Sequence, residues 1–180
     1  MIRNKTYLLL VITLFVMCLT SCGFSTGNSD EYANSINASL ITALNNKDPD
    51  LLKSILTKRT QNIEDLDNQI SQLYEFVNLD SSEIRDENIL RSTCMFRHSV
   101  DEGNRGYKEY DYLRCDLRIK LDNGRQYYFF THTYRTNRNE GSVGVYKIVC
   151  YDVSDYVFKD EDVTFDTKGL DYVCVGEYIE

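Results

Sequence analysis

Apolar side chains recur with two spacings along the chain, every three or four residues in its first half and every second residue in its second half. The first spacing is typical of amphipathic helices and the second of half-buried strands. The earliest residues with helical spacing are Ala33, Ile36, Leu40 and Leu44. They predict a first helix that Ser29 or Asp30 caps and that runs to about Asn46.

Two further helices are predicted before the strands begin. Asp48 and Pro49 form a helix start, because a side-chain oxygen caps unpaired backbone amides and proline tolerates the first helical position. A third helix begins near Asn62, which can cap it. The apolar stripe of this third helix consists of Ile63, Leu66, Ile70, Leu73, Tyr74 and Val77.

From about Ile89 the spacing changes to two and predicts an antiparallel sheet. The clearest strand covers 113–121, where apolar residues alternate with charged ones. It is followed by Asp122-Asn123-Gly124-Arg125, a strong hairpin signal, since asparagine and glycine accept the positive φ of a tight turn. The remaining predicted strands cover 126–135, 143–151 and shorter pieces within 156–165 and 172–179.

Helices that precede a run of strands are typical of the α+β class. We therefore expect three N-terminal helices packed on a curved antiparallel β-sheet. They form one domain of residues 31–180, with a C-terminal extension that begins at about residue 152.

The turn also decides which side chains share a face of the hairpin, because a shift of one residue exchanges the two faces. If Asp122 pairs with Arg125, the side chains that share the apolar face of 113–121 are Tyr128, Phe130, His132 and Tyr134. The outer face then pairs Arg118 with Phe129 and Lys120 with Tyr127. That outer face would suit a protein partner or a homodimer.

The first 21 residues predict a signal peptide. Arg3 and Lys5 are the positive start, and an apolar run follows from Tyr7 to Cys18. As a helix this run would be about 18 Å long, which is shorter than the ~30 Å hydrocarbon core of a bilayer. It therefore indicates a signal sequence and not a stable membrane span.

The signal ends in Leu19-Thr20-Ser21-Cys22, which resembles the lipobox of bacterial lipoproteins. The resemblance implies cleavage between Ser21 and Cys22 and a lipid on the Cys22 thiol, so that the protein faces the outside of the cell membrane. Residues 22–30 would be the lipidated cysteine and a flexible tether. The alternative is an ordinary secretory signal with a chance cysteine.

The acidic composition narrows the classes of partner. The chain has a formal charge of −8 at pH 7. Nucleic-acid binding needs clustered Lys and Arg, so we expect no nucleic-acid partner. Membrane attachment would come from the lipid and not from charge.

Four cysteines remain once Cys18 leaves with the signal and Cys22 is lipidated. A hairpin that turns on 104–105 would place Cys94 opposite Cys115, where the two could form a disulfide. Cys150 and Cys174 would then pair and hold the C-terminal segment. The alternative is four buried thiols, and the spacing leaves both states open.

Several segments resemble known families. Asn-Lys-Asp-Pro-Asp-Leu-Leu at 46–52, within the order of helices before a sheet, resembles the nuclear transport factor 2-like (cystatin-like) α+β cone. The segments that resemble one family of small bacterial lipoproteins, domain of unknown function 5104, are Glu-Asp-Leu-Asp-Asn-Gln-Ile at 64–70, Leu-Tyr-Glu-Phe at 73–76, Gly-Arg-Gln-Tyr-Tyr-Phe-Phe at 124–130 and Val-Gly-Val-Tyr at 143–146. The resemblance covers residues 32–150 and implies no catalytic residues.

His132 is the one candidate for catalysis. The resemblance to cone folds implies that its face lines a pocket, where enzymes of that superfamily place an Asp or His as a general base. Under the predicted register no Asp or Glu shares this face, so a His–Asp dyad is not expected. The alternative is a core or rim histidine that hydrogen bonds to a tyrosine or to the backbone.

Two functions follow. The first is a lipid-anchored, non-enzymatic domain that binds a small ligand or a protein, with Tyr128, Phe130, His132 and Tyr134 as pocket candidates. The second is a cone-fold isomerase, dehydratase or hydrolase that uses His132, which requires an open cavity with a second polar group in reach. No motif for a metal or another cofactor is present, so we expect neither.

Overall fold

The computed structural model of the chain describes residues 27–79, 83–101, 108–137, 143–156, 158 and 167–176. The signal peptide, its cleavage site at Ser21 and Cys22, and the turn at 104–105 lie outside the described residues. By its internal contacts the chain divides into Met1–Glu31 and Tyr32–Glu180. All structural features described below, apart from the start of helix α1, lie in the second unit.

The first two helices follow the predictions closely. Helix α1 covers Gly27–Asn46, so residues 27–30 of the predicted tether are helical, and the prediction that Ser29 or Asp30 caps this helix is wrong. Helix α2 covers Pro49–Ile55, and the Asp48 carboxylate accepts a hydrogen bond of 2.9 Å from the Leu51 amide. The predicted cap and the proline at the first helical position are thus confirmed.

The prediction of three helices is wrong, because the described residues contain four. Helix α3, Lys58–Gln61, was not predicted; the Thr57 hydroxyl caps it by accepting from the Thr60 amide at 3.0 Å. Helix α4 covers Leu66–Val77 and does not begin near Asn62, which instead ends α3. Residues 62–65, which were assigned to the start of the third helix, instead form the end of α3 and a turn that precedes α4. Within the described part of the chain no helix is long and apolar enough to span a bilayer.

A five-stranded antiparallel sheet follows, so the chain is α+β as predicted. A single 3₁₀ turn, Asp86–Asn88, leads into it. The strands are β1 Ile89–Asp101, β2 Lys108–Lys120, β3 Gln126–Asn137, β4 Gly144–Asp152 and β5 Tyr172–Gly176. Their order across the sheet is their order along the chain, so each strand lies beside its sequence neighbour.

The predicted register of the β2–β3 hairpin is wrong by one residue. The Leu121 amide donates to the Arg125 carbonyl at 2.8 Å and the Gly124 amide donates to the Leu121 carbonyl at 2.9 Å, so the loop holds three residues. Gly124 has a positive φ of +90°, whereas the φ of Asn123 is not positive. A type I′ turn needs positive φ at both central residues, whereas a three-residue loop needs it only at the final glycine.

The shift exchanges the two faces of β3. Ile119 pairs with Tyr127, Leu117 with Phe129, Cys115 with Thr131 and Leu113 with Thr133. The core that the helices cover thus receives Tyr127 and Phe129, both fully buried, and the Tyr127 hydroxyl donates to the Phe76 carbonyl at 3.1 Å. The predicted placement of Tyr127 and Phe129 on an outer face is therefore wrong. The four pocket candidates lie on the face away from the helices.

The strand register also tests the two predicted cysteine pairs. Cys94 and Cys115 are direct partners in the β1–β2 ladder, which confirms that they face each other. The predicted pairing of Cys150 with Cys174 is wrong, because their register partners are Val173 and Val149 and the two side chains point to opposite faces of the sheet. In this structure all four are thiols.

Gly176 closes β5 against β4. Its φ is +103°, and a Cβ atom there would collide with the Tyr146 carbonyl oxygen and lie 3.1 Å from the Lys147 Cα. Its amide donates to the Gln69 side chain of α4 at 3.0 Å. The absence of a side chain at this position lets β5 approach the part of β4 that holds Tyr146.

The register predicts which of two adjacent phenylalanines carries the stability of the core. Phe129→Ala should lower the free energy of unfolding by about 3–5 kcal/mol, because it empties a fully buried site. Phe130→Ala should cost about 1 kcal/mol, since this side chain is half-buried on the other face. Urea unfolding followed by circular dichroism measures both. A larger loss of stability in Phe130→Ala than in Phe129→Ala would mean that Asp122 pairs with Arg125 after all.

Candidate functional site

The sheet face away from the helices carries most of the ring-bearing side chains of the strands; we call it the aromatic face. The rings described on it are Tyr112, Tyr128, Phe130, His132, Tyr134, Tyr146, Tyr151 and Tyr172. All four sequence-predicted candidates are among them, although they were expected on the helix-covered side. They therefore do not line a space between helices and sheet.

Three tyrosines and His132 form a hydrogen-bonded cluster at one end of this face. The Tyr112 hydroxyl lies 2.5 Å from His132 Nδ1. Tyr146 hydrogen bonds with both Tyr112 and Tyr134, and its ring stacks on that of Tyr134 with centroids 4.6 Å apart. The four side chains therefore form one continuous polar chain within an aromatic group, which we call the Tyr–His cluster.

A β-bulge brings Tyr146 into this cluster. The register between β3 and β4 shifts between His132 and Thr133, because Lys147 pairs with His132 whereas Val145 pairs with Thr133. Tyr146 is the extra residue, and a bulge turns such a side chain away from the regular alternation. Its ring centroid lies 5.9 Å from that of His132.

His132 is held as a neutral imidazole. Burial, together with the charges of Lys147 and Arg114, lowers its pKa to about 4. A base with so low a pKa takes up little proton near neutral pH and is a weak general base. In contrast, burial raises the pKa of Tyr146, which the hydrogen bonds with Tyr112 and Tyr134 raise further, so the tyrosine keeps its proton.

A buried ion pair lies beside the Tyr–His cluster. Arg114 is the direct ladder partner of His132, and its Nε and Nη2 atoms donate to the two oxygens of Asp116 at 2.9 and 3.3 Å. The Asp116 residue is only 5% exposed. Burial raises the pKa of Asp116 while the two hydrogen bonds from Arg114 lower it, and the net effect is upward. The Arg114 guanidinium also lies 4.4 Å from the centre of the Phe130 ring.

A second arginine stacks under a residue from beyond β4. The Arg118 guanidinium lies 3.5 Å from the centre of the Phe158 ring, and its Nη2 donates to the Gln126 side chain at 2.9 Å. Phe158 in turn stacks on Tyr128, with centroids 6.2 Å apart. Burial lowers the pKa of Arg118, and Arg91, its ladder partner on β1, lowers it further.

The aromatic face is basic although the chain as a whole is acidic. The basic side chains described on it are Arg91, Arg97, Arg114, Arg118, Lys120 and Lys147. Asp116 is the only carboxylate that the structure describes among them. Positive charges thus dominate the described part of this face.

Half of the residues of this site were not predicted from the sequence. Tyr112, Arg114, Asp116 and Tyr146 were not predicted as site residues, and the absence of an acid near His132 was inferred from the wrong face. Asp116 shares the face of His132, but it is engaged by Arg114. The signal that could have found the three residues of β2 is Gly124, because a glycine at the third position of Asp-Asn-Gly also suits a three-residue loop, whereas the position of Tyr146 depends on the bulge in β4.

Nothing in the described part of the chain forms a metal centre, since no three His, Cys, Asp or Glu side chains come together there. The hydroxyl, imidazole and guanidinium groups of the aromatic face instead offer hydrogen bonds and positive charge.

The low pKa of His132 predicts a pH-dependent loss of stability. An unfolded histidine titrates near pH 6.5, so between about pH 6.5 and 4 the unfolded chain binds more protons than the native one. The stabilising contribution of neutral His132 is therefore complete above pH 6.5 and is lost as the pH falls toward 4. Its size is at most about 3 kcal/mol.

Urea unfolding at pH 7.5 and pH 5 tests this in matched variants. His132→Asn should lose less stability between the two pH values than the wild type. His98→Asn removes the other histidine, which lies 2.9 Å from the Asp111 carboxylate, and should lose at least as much stability between the two pH values as the wild type. Equal losses in the wild type and His132→Asn would show that His132 is not held neutral.

A model of a known protein family matches most of this fold, from within α1 to the end of β4. The family model described as "Domain of unknown function (DUF5104)" matches residues 39–153. The match includes the whole Tyr–His cluster and the Arg114–Asp116 pair, whereas Phe158 and β5 lie beyond it. A comparison with curated proteins gives no match.

Proposed function

The chain belongs to the family of the domain of unknown function DUF5104. Because that family has no stated function, we propose a role from the structure: the chain binds an anionic ligand on its aromatic face and does not catalyse a reaction. We further propose that it is a lipoprotein, held on the outer side of the cell membrane by a lipid on Cys22. The observation that carries the binding role is the set of basic and aromatic side chains that share one sheet face.

Charge complementarity supports an anionic ligand. Arg97 and Lys147 flank the Tyr–His cluster from β1 and β4, and Arg97 is exposed. Guanidinium and ammonium groups form charge-assisted hydrogen bonds with carboxylate and phosphate oxygens. Because the net charge of the chain is negative, an anion would be attracted to this face and repelled elsewhere.

The rings support a ligand with a flat or cyclic body. Tyr134 and Tyr146 are half-buried, so their rings are partly available for contact. Aromatic rings offer a large apolar surface with a hydroxyl at one end, which suits molecules that are polar at the rim and apolar on the face. An acidic sugar has such a shape, because it combines a cyclic body with a carboxylate or phosphate group.

The enzyme alternative has less support. His132 has hydrogen-bonding neighbours, as a catalytic histidine requires, but its lowered pKa makes it a weak base at neutral pH. Asp116, which shares the face of His132, accepts hydrogen bonds from Arg114 with both of its carboxylate oxygens. This arrangement favours recognition over proton transfer.

The finer resemblance to the nuclear transport factor 2-like cone is also part of the proposal. It is supported by the order of elements, with helices before a single antiparallel sheet that they cover on one face. The same order is consistent with a ligand surface built by the strands.

Lipid anchoring predicts different behaviour of two cysteines in the signal region. Cys22→Ala should move the protein out of the membrane fraction, because the acceptor of the lipid is lost. Cys18→Ala, which removes a cysteine from the apolar run, should leave the protein in the membrane fraction. Fractionation followed by mass spectrometry of the N-terminal peptide measures both. A Cys22→Ala protein that stays membrane-bound to the same extent would contradict the anchor.

Anion binding predicts a thermal shift with acidic sugars. Glucuronic acid and glucose 6-phosphate should raise the Tm of the full-length protein in a dose-dependent way, since a ligand of the native state stabilises it. Neutral glucose should not. Removing two charges in Arg97→Gln/Lys147→Gln should weaken the binding by about tenfold.

A charge-matched control separates local from general attraction. Lys58→Gln/Arg59→Gln removes two exposed charges from helix α3 and should leave the shift unchanged. A shift that is absent with both acidic sugars, or that falls equally in the two double variants, would contradict a site on the aromatic face.

A further inference from the structure

Two thiols face each other on the helix-covered side of the sheet, away from the aromatic face. Cys94 of β1 and Cys115 of β2 are direct ladder partners. Cys115 is fully buried in a small cluster with Ala33 and Leu113, and Tyr32 and Cys94 pack against that cluster. Cys94 is only partly buried, because β1 is an edge strand of the sheet.

The backbone already has the spacing that a disulfide needs. Residues directly opposite each other in an antiparallel ladder have Cα atoms about 4.5–5.5 Å apart. Disulfides join Cα atoms that are about 4.4–6.8 Å apart. The thiols are in hydrogen-bonding contact, and this contact together with burial raises the pKa of Cys115. No movement of the strands is therefore required to join the two sulfur atoms.

We propose that Cys94 and Cys115 are a dithiol–disulfide pair, oxidised by exchange with a small-molecule or protein disulfide. The inference is independent of the proposed ligand. The partly exposed Cys94 loses its proton to solvent and attacks one sulfur of the oxidant, which expels one thiolate and leaves a mixed disulfide. Cys115, after loss of its proton, attacks the Cys94 sulfur and expels the second thiolate. Two protein thiols are thus oxidised, and the oxidant disulfide is reduced to two thiols.

The bond would tie an edge strand to the sheet. In the described part of the chain β1 is paired in the ladder with β2 only, and it carries Arg91 and Arg97 at the rim of the aromatic face. A cross-link between Cys94 and Cys115 restricts the conformations of the unfolded chain and limits the separation of β1 from β2. Oxidation would therefore stabilise the sheet at the strand that has a neighbour on one side.

The other cysteines provide an internal control. Cys150 is fully buried beneath the helices, whereas Cys174 lies on the opposite face of the sheet. Neither has a cysteine as its ladder partner. The pairing should therefore be specific to Cys94 and Cys115.

Tryptic peptide mapping tests the pair in the full-length protein, because trypsin separates the relevant cysteines. Cleavage after Arg and Lys places Cys94 in 92–97, Cys115 in 115–118, Cys150 in 148–159 and Cys174 in 169–180. After incubation with glutathione disulfide and alkylation, the digest should contain 92–97 joined to 115–118, and dithiothreitol should separate them. Peptides 148–159 and 169–180 should be recovered as alkylated thiols.

Thermal unfolding gives a second readout. Glutathione disulfide should raise the Tm of the wild type by roughly 6–12 °C. The rise should be absent in Cys94→Ser and retained in Cys174→Ser, both of which change cysteines that are not fully buried. The proposal is wrong if Cys94 is recovered only as its glutathione adduct, if a different pair is joined, or if the bond forms between two molecules.

Discussion

The three-residue turn between β2 and β3 decides which side chains of β3 face the helices and which face the other side of the sheet. Two backbone hydrogen bonds, from Leu121 to Arg125 and from Gly124 to Leu121, set the register of the central hairpin. Because side chains alternate along a strand, this register assigns every residue of β3 either to the core or to the aromatic face. The positions of β4 and β5 follow, since each is paired to the strand before it.

The sequence was a good guide to elements and a poor guide to faces. The helical spacing around Leu40, the cap at Asp48 and the alternation from 113 to 121 predicted real elements, because they depend on local chemistry. The facing of Cys94 and Cys115 was also predicted correctly from its own hairpin. Helix α3 was missed because its four residues carry no apolar stripe, and only the Thr57 cap marks its start.

The faces of β3 were harder to predict because both are rich in aromatic residues. Tyr127, Tyr128, Phe129 and Phe130 are four rings in succession, so hydrophobicity alone does not distinguish the core side from the other side. Two threonines, Thr131 and Thr133, occupy core positions, while His132 and Tyr134 lie on the opposite face. The pattern of the strand therefore left the decision to the turn, and Asp-Asn-Gly is compatible with two loop lengths. The candidate site could be named in part, but its location and its charged members depended on a single hydrogen-bonded turn.

The Arg114–Asp116 pair illustrates how a basic surface is tolerated on an acidic protein. A buried carboxylate without a partner would be costly, and two hydrogen bonds from Arg114 satisfy it. The negative charge of Asp116 also interacts with Arg91. It thereby reduces the repulsion among Arg91, Arg114 and Arg118, which lie near one another on this face. The ion pair thus supports the sheet and leaves the net charge of this face positive.

The close approach at Gly176 has a consequence for how such a protein can change over evolutionary time. Residues of β3 that point to the aromatic face can be exchanged without emptying the core, because their immediate neighbours fill it. Gly176 has no such freedom, since any side chain there would push β5 away from the backbone of Tyr146 and so reposition a ring of the Tyr–His cluster. The specificity of this face can therefore change through β3, whereas Gly176, which itself offers no chemical group, limits how β5 can be placed against β4.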